Sequence, residues 1–134
     1  MLLEKLNKIN NVLNSLIKIT NEDIKNIKDA NHEEVFANIP LKENLAKEFE
    51  ILKTEIDSIL SSRNKAIEEI FSTQEEVEFE KFKLLLNEFY TKHKHFSKLS
   101  LSVTNFYNVL LNKIKNKQQI TYDKKDIQNP FIKG

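Results

Sequence analysis

The sequence predicts an all-α fold: an elongated antiparallel three-helix bundle or coiled coil with a flexible C-terminal tail. Three observations predict it. The chain has one glycine, its last residue, and two prolines, Pro40 and Pro130. Sheets need tight turns, and tight turns need Gly, Asn-Gly or Pro-Gly. Apolar residues instead recur at spacings of three and four along three stretches, which is the helical period. The stretches are separated by cap and breaker residues rather than by long loops, as in helical bundles. At 134 residues the chain fits one domain, with a helical part over residues 1–117 and a tail over 118–134.

The first stretch covers residues 2–30. Leu6, Ile9, Leu13, Leu16 and Thr20 alternate three and four, and Ile24 and Ile27 continue the stripe after one extra step of four. This is an amphipathic helix with a small drift in phase. Asn31 followed by Glu34 resembles a capping box, so a break is expected over residues 29–32. Pro40 lacks an N–H and disfavours helix at Ile39. Residues 32–38 are therefore a separate turn or part of one helix that kinks there, and the main second helix is expected to start at about Pro40, where proline fits the first helical position.

The second stretch carries Leu45, Phe49, Leu52, Ile56 and Ile59, then Ile67 and Ile70, with Arg63 as its one polar step. Arg63 is expected to snorkel at the edge. Ser72 and Thr73, with Glu75 and Glu76 three residues on, mark the next helix start.

The third stretch is the longest. Phe82, Leu86, Phe89, His93, Phe96, Ser100, Val103, Tyr107, Leu110 and Ile114 keep the four-three alternation without a slip, and Leu85, Leu99, Phe106 and Leu111 widen it. From Thr73 to Lys117 it would run about 65 Å at ~1.5 Å per residue, so the two other helices are expected to flank it. Ser100, Ser102 and Thr104 are poor helix formers within it.

Composition excludes much chemistry. There is no cysteine, hence no disulfide, thiolate metal site or thiol nucleophile. No glycine-rich phosphate loop or nucleophile elbow exists. His93 and His95 point about 160° apart on a helix and cannot share a metal; His93 on the seam is expected as a hydrogen-bonded interface residue. No catalytic residues, metal or cofactor are expected, and the acid-rich run over residues 75–80 is read as a solvated face near a helix N-terminus. A net charge of +1 gives no bulk attraction to nucleic acid or membrane. No apolar run nears the ~20 residues that span a bilayer, so a soluble cytosolic protein is expected. Charge is nevertheless uneven: residues 33–88 hold 14 acids against 7 bases, whereas from Lys92 onward nine lysines face two aspartates.

A helical protein without chemistry works by contact, and helices bind through apolar anchors at helical spacing. The broad stripe of Leu99, Val103, Phe106, Tyr107, Leu110, Leu111 and Ile114 is the candidate face. The tail adds Ile120, Tyr122, Ile127, Phe131 and Ile132 in a lysine-rich setting, either a hook for a partner or a strap for the core.

The chain resembles the FlgN-type flagellar export chaperones, with FliT and FliS as similar small helical chaperones. The residues that carry the likeness are NEDIKNIKDANHEE followed by IPLKENLAKEFEILK, then NFYNVLLNKI, a break and ITYD. The resemblance implies clients FlgK and FlgL, the hook–filament junction proteins, whose C-terminal amphipathic segment would lie against the third helix. It also implies delivery to the export gate protein FlhA, with Ile120 and Tyr122 at the docking position and at most a weak homodimer. The competing class is a structural coiled-coil protein whose slip-free third stretch pairs with copies of itself.

Overall fold

A computed structural model describes residues 1–66 and 69–117, except the side chains of Phe106, Tyr107, Leu110, Leu111 and residues 114–117. The architecture is the expected all-α one: α1 Leu2–Lys28, α2 His32–Arg63 and α3 Thr73–Lys117, with no strand among the described residues. By internal packing the chain divides into Met1–His95 and Phe96–Gly134. The expected tail, residues 118–134, lies outside the described residues.

In the first unit Lys5 meets Glu55 near one end of α1 and Asp23 meets Lys42 near the other, so α1 and α2 run antiparallel. Arg63 with Glu75 and Phe49 with Phe82 make α2 and the start of α3 antiparallel in turn. The core joins Leu2, Leu6, Ile9, Val12 and Leu16 of α1 to Leu52 and Ile56 of α2. Phe79, Phe82 and Phe89 of α3 pack against it, as does Phe71 of the connector. Phe71 stacks on Phe79 with ring centroids 4.6 Å apart, which carries the connector onto the start of α3.

The start of α3 touches both other helices, α1 through Asn10 and Glu78 and α2 through Phe49 and Phe82, and α1 is the most deeply buried of the three. Leu6, Ile9, Leu13, Leu16, Thr20, Ile24 and Ile27 are buried, as their spacing predicts, but so are Val12, Ile17 and Ile19. Together they cover roughly half the circumference, wider than the ~100° stripe of a helix with one neighbour. Asp23 faces α2, and Asn10 donates from Nδ2 to the Glu78 backbone oxygen of α3 at 3.1 Å. Apart from α1, the buried described residues are only Leu52, Ile56 and Glu75.

Helix α2 starts at His32 and runs through Pro40, eight residues upstream of the expected start. Proline removes the bond to the Phe36 carbonyl. Tertiary contacts hold the helix across the gap: Asn38 Nδ2 and Lys42 Nζ donate to the two oxygens of Asp23, at 2.8 and 2.9 Å. The Asp23 side chain is 1% exposed, so these are low-dielectric, charge-assisted bonds. The Asn31 side chain makes no cap bond; the break forms instead through a left-handed Ala30, φ 61°. There Asn31 N donates to Asn26 O and Ala30 N to Ile27 O, a Schellman closure.

Helix α2 ends at Arg63, with Asn64 left-handed at φ 45°. Ile70 therefore lies in the connector rather than on a helical stripe, and Ile67 lies outside the described residues. Arg63 does not snorkel: its guanidinium grips Glu75 with two bonds of 2.6 and 2.8 Å and also donates to Ile70 O. Glu75 is thus a buried partner rather than part of a solvated face. The start of α3 is the expected capping box: Ser72 N donates to Glu75 Oε1, and Glu75 N donates to Ser72 Oγ.

Candidate functional site

Helix α3 is continuous to Lys117, as its unbroken periodicity predicts. Its weak formers are accommodated within it: Ser102 Oγ donates to Lys98 O and Thr104 Oγ1 to Ser100 O, one turn back. From Phe82 onward the half-buried positions among the described residues are Phe82, Leu85, Phe89, Lys92, Phe96, Leu99, Ser100, Val103, Thr104 and Asn108. This three-four stripe differs from the expected one at two steps. Leu86 and His93 are exposed, and Leu85 and Lys92 take their places. His93 is a flank residue, its ring tilted against Phe89 at 5.7 Å. The seam turned because Leu85 and the aliphatic stem of Lys92 fill the inward positions, which charge-based reading assigns to solvent.

Of the seven residues expected at the binding face, Leu99 and Val103 are described and half-buried. Phe106, Tyr107, Leu110, Leu111 and Ile114 lie on the helical backbone of α3, but their side chains lie outside the described residues, as do Ile120 and Tyr122 altogether. Spacing alone keeps Leu99, Val103, Phe106 and Leu110 on the α3 stripe that begins with Phe82 and Phe89 at the core.

Three apolar surfaces went unnoticed in the sequence. A shallow groove on the flank of α3 is lined by Lys83, Leu86, Asn87, Phe89, Tyr90 and His93. A second, between α1 and α2, is lined by Ser15, Lys18, Ile19, Glu22, Leu41 and Leu45. The third is the outer face of α2, where Phe36 is 66% exposed beside Ile39. Periodicity finds stripes, and a single aromatic on a polar face leaves no periodic signal.

Two polar groups stand out chemically. The Arg63 guanidinium, with the Ser72 bonds, holds the Glu75 carboxyl down to about 2 from its ordinary 4.5, which commits it to the ion pair. Asn10 is buried with its Oδ1 lacking a partner, while its Nδ2 serves Glu78. Both sit at helix contacts and fix register; neither has a nucleophile or base beside it to do chemistry. No helix among the described residues is long and apolar enough to cross a membrane. Compared with protein-family models, curated proteins and solved structures, the chain matches none.

Proposed function

We propose that this chain is a cytosolic export chaperone of the flagellar type. It acts by contact rather than catalysis, receiving the C-terminal amphipathic segment of FlgK or FlgL on the second half of α3. The observation that carries this reading is the continuity of the α3 stripe. The residues that take part in the core, Phe79, Phe82 and Phe89, end at position 89. The helix goes on to Lys117, and its apolar periodicity goes on with it through Leu99, Val103, Phe106, Tyr107, Leu110, Leu111 and Ile114. A client helix laid along that stripe buries its own apolar face at ~25 cal/mol per Å² before ordering costs, and is kept from self-association. Ile120 and Tyr122 then serve delivery to FlhA, Tyr122 as a rigid anchor steered by the lysines around it.

Calorimetric titration with the FlgK C-terminal segment tests this. Wild type binds at micromolar affinity or better, and Tyr107→Ala weakens binding about tenfold, as for one interface aromatic. Silence with both FlgK and FlgL segments sinks the reading and leaves self-association through the stripe. Loss of FlhA capture in Tyr122→Ala, with client binding intact, separates the two sites.

A further inference from the structure

Of the three apolar surfaces, the groove on the flank of α3 has surroundings that select a partner. It lies wholly within Met1–His95. Lys83, Leu86, Tyr90 and His93 follow one another there at three-four-three spacing and so share one side of the helix. Leu86 is 37% exposed and Tyr90 65%. Phe89 lines the groove and also packs against the core, so an apolar group seated there extends the core outward. The charges around the groove carry one sign. Lys83 stands at one end, and His93 with the exposed Lys94 at the other. Between Lys81 and Lys94 the sole acid is Glu88. It is two residues from both Leu86 and Tyr90, which turns it to the other side of the helix. Glu80 pairs with Lys83 at 2.9 Å, but both side chains are more than half exposed, and such a pair exchanges its partner at little cost. The groove between α1 and α2 offers both signs, Lys18 and Glu22, and selects neither. Around Phe36 the acids Glu33 and Glu34 sit in the first turn of α2, where the helix dipole already accounts for them.

We propose that this groove binds a short acidic amphipathic helix of a partner protein. Leucine or aromatic anchors of that helix seat against Leu86, Phe89 and Tyr90, and its carboxylates face Lys83 and Lys94. From Lys83 to His93 the groove runs about 15 Å along α3, room for two successive anchors of a partner helix. The Asn87 amide and the Tyr90 hydroxyl add donors for the carboxylates at the rim. Tyrosine suits such a place, because it gives a large apolar contact and keeps a polar tip in water. The anchors supply the affinity, and the lysines steer the approach and set the register. The proposal does not depend on the export reading, which concerns the stripe from Leu99 to Ile114.

Two labelled helical peptides of about 14 residues test it on the full chain, by fluorescence anisotropy and NMR. Both carry leucines at helical spacing; the flanking residues are glutamates in one and lysines in the other. The acidic peptide binds with a Kd of about 10–100 μM and shifts the amide signals of Leu86, Asn87 and Tyr90, and the basic one binds about tenfold more weakly. Tyr90→Ala weakens binding of the acidic peptide about tenfold. Lys83→Glu with Lys94→Glu inverts the preference between the peptides. These are exposed positions, and circular dichroism confirms each variant's helix content. Leu84→Ala, exposed but outside the groove, leaves binding unchanged. Equal affinity for the two peptides overturns the proposal, as does binding that Tyr90→Ala leaves intact. So does a wild type that dimerises in sedimentation equilibrium and becomes monomeric with Tyr90→Ala, since a second copy is then the occupant. Silence with both peptides beside intact FlgK binding overturns this proposal alone and leaves the export reading standing.

Discussion

The two ends of α2 are both tied to a neighbour by a charge pair, and they are tied differently. At the N-terminal end the anion belongs to α1: Asp23 is sealed from solvent and serves Asn38 and Lys42, which flank Pro40. At the C-terminal end the cation belongs to α2: Arg63, with 26% of its side chain exposed, reaches Glu75 at the start of α3. The first pair repairs a helix that its own sequence would break. The second pair closes a connector whose helix start is already specified locally by Ser72 and Glu75. A tie that compensates a local defect should matter more than one that reinforces a local signal.

Removing the first tie gives the largest effect. Asp23→Ala removes the buried anion that Asn38 and Lys42 share beside Pro40, and costs about 3 kcal/mol in urea unfolding. The comparison sharpens if the defect is removed too. Pro40→Ala alone stabilises by about 1 kcal/mol, since it restores the bond to the Phe36 carbonyl at a helical position. In that background Asp23→Ala costs about 1 kcal/mol less, a coupling that a double-mutant cycle reads directly. Additive effects would mean that Asp23 holds α2 to α1 without bridging the proline.

The second tie is weaker, because its arginine keeps water and the cap persists without it. Glu75→Gln costs about 2 kcal/mol. Its pH signature is distinctive. The folded carboxyl titrates at about 2 and the unfolded one near 4.5, so the folded state binds fewer protons between them. Its contribution is complete above pH 4.5 and is lost as pH falls towards 2. Glu75→Gln therefore flattens the fall in melting temperature across that window and leaves the neutral-to-basic limb unchanged apart from its offset.

This difference also marks what the sequence discloses. Ser72-x-x-Glu75 is a contact between near neighbours, and it was legible. The three helices were legible from their periods, and the stripe of α1 was correct residue by residue. Asp23, nineteen residues from its lysine, left no local trace, and so the start of α2 was placed at Pro40. Arg63 looked like a lone polar step because its partner lies across a turn. The deep burial of α1 did have a signal in Val12, Ile17 and Ile19, which broaden its stripe beyond what one neighbour needs. In the binding face, spacing fixes which positions share a side of α3. It does not fix which of two adjacent positions turns inward, as Leu85 and Lys92 show against Leu86 and His93.

The smallest effects lie in the turns at the same two ends. Each needs a left-handed residue, and a chain whose only glycine is Gly134 supplies Ala30 at one and Asn64 at the other. Alanine has a Cβ that crowds the following carbonyl there, whereas asparagine tolerates the conformation. Ala30→Gly should therefore stabilise by about 1 kcal/mol, because relief of strain exceeds the added freedom of the unfolded chain. Asn64→Gly has less strain to relieve and the same entropy to lose, so its change should stay within about 0.5 kcal/mol. Equal gains at the two turns would mean that Asn64 is as strained as Ala30. A loss at position 30 would mean that the Ala30 methyl makes a contact worth more than its backbone strain.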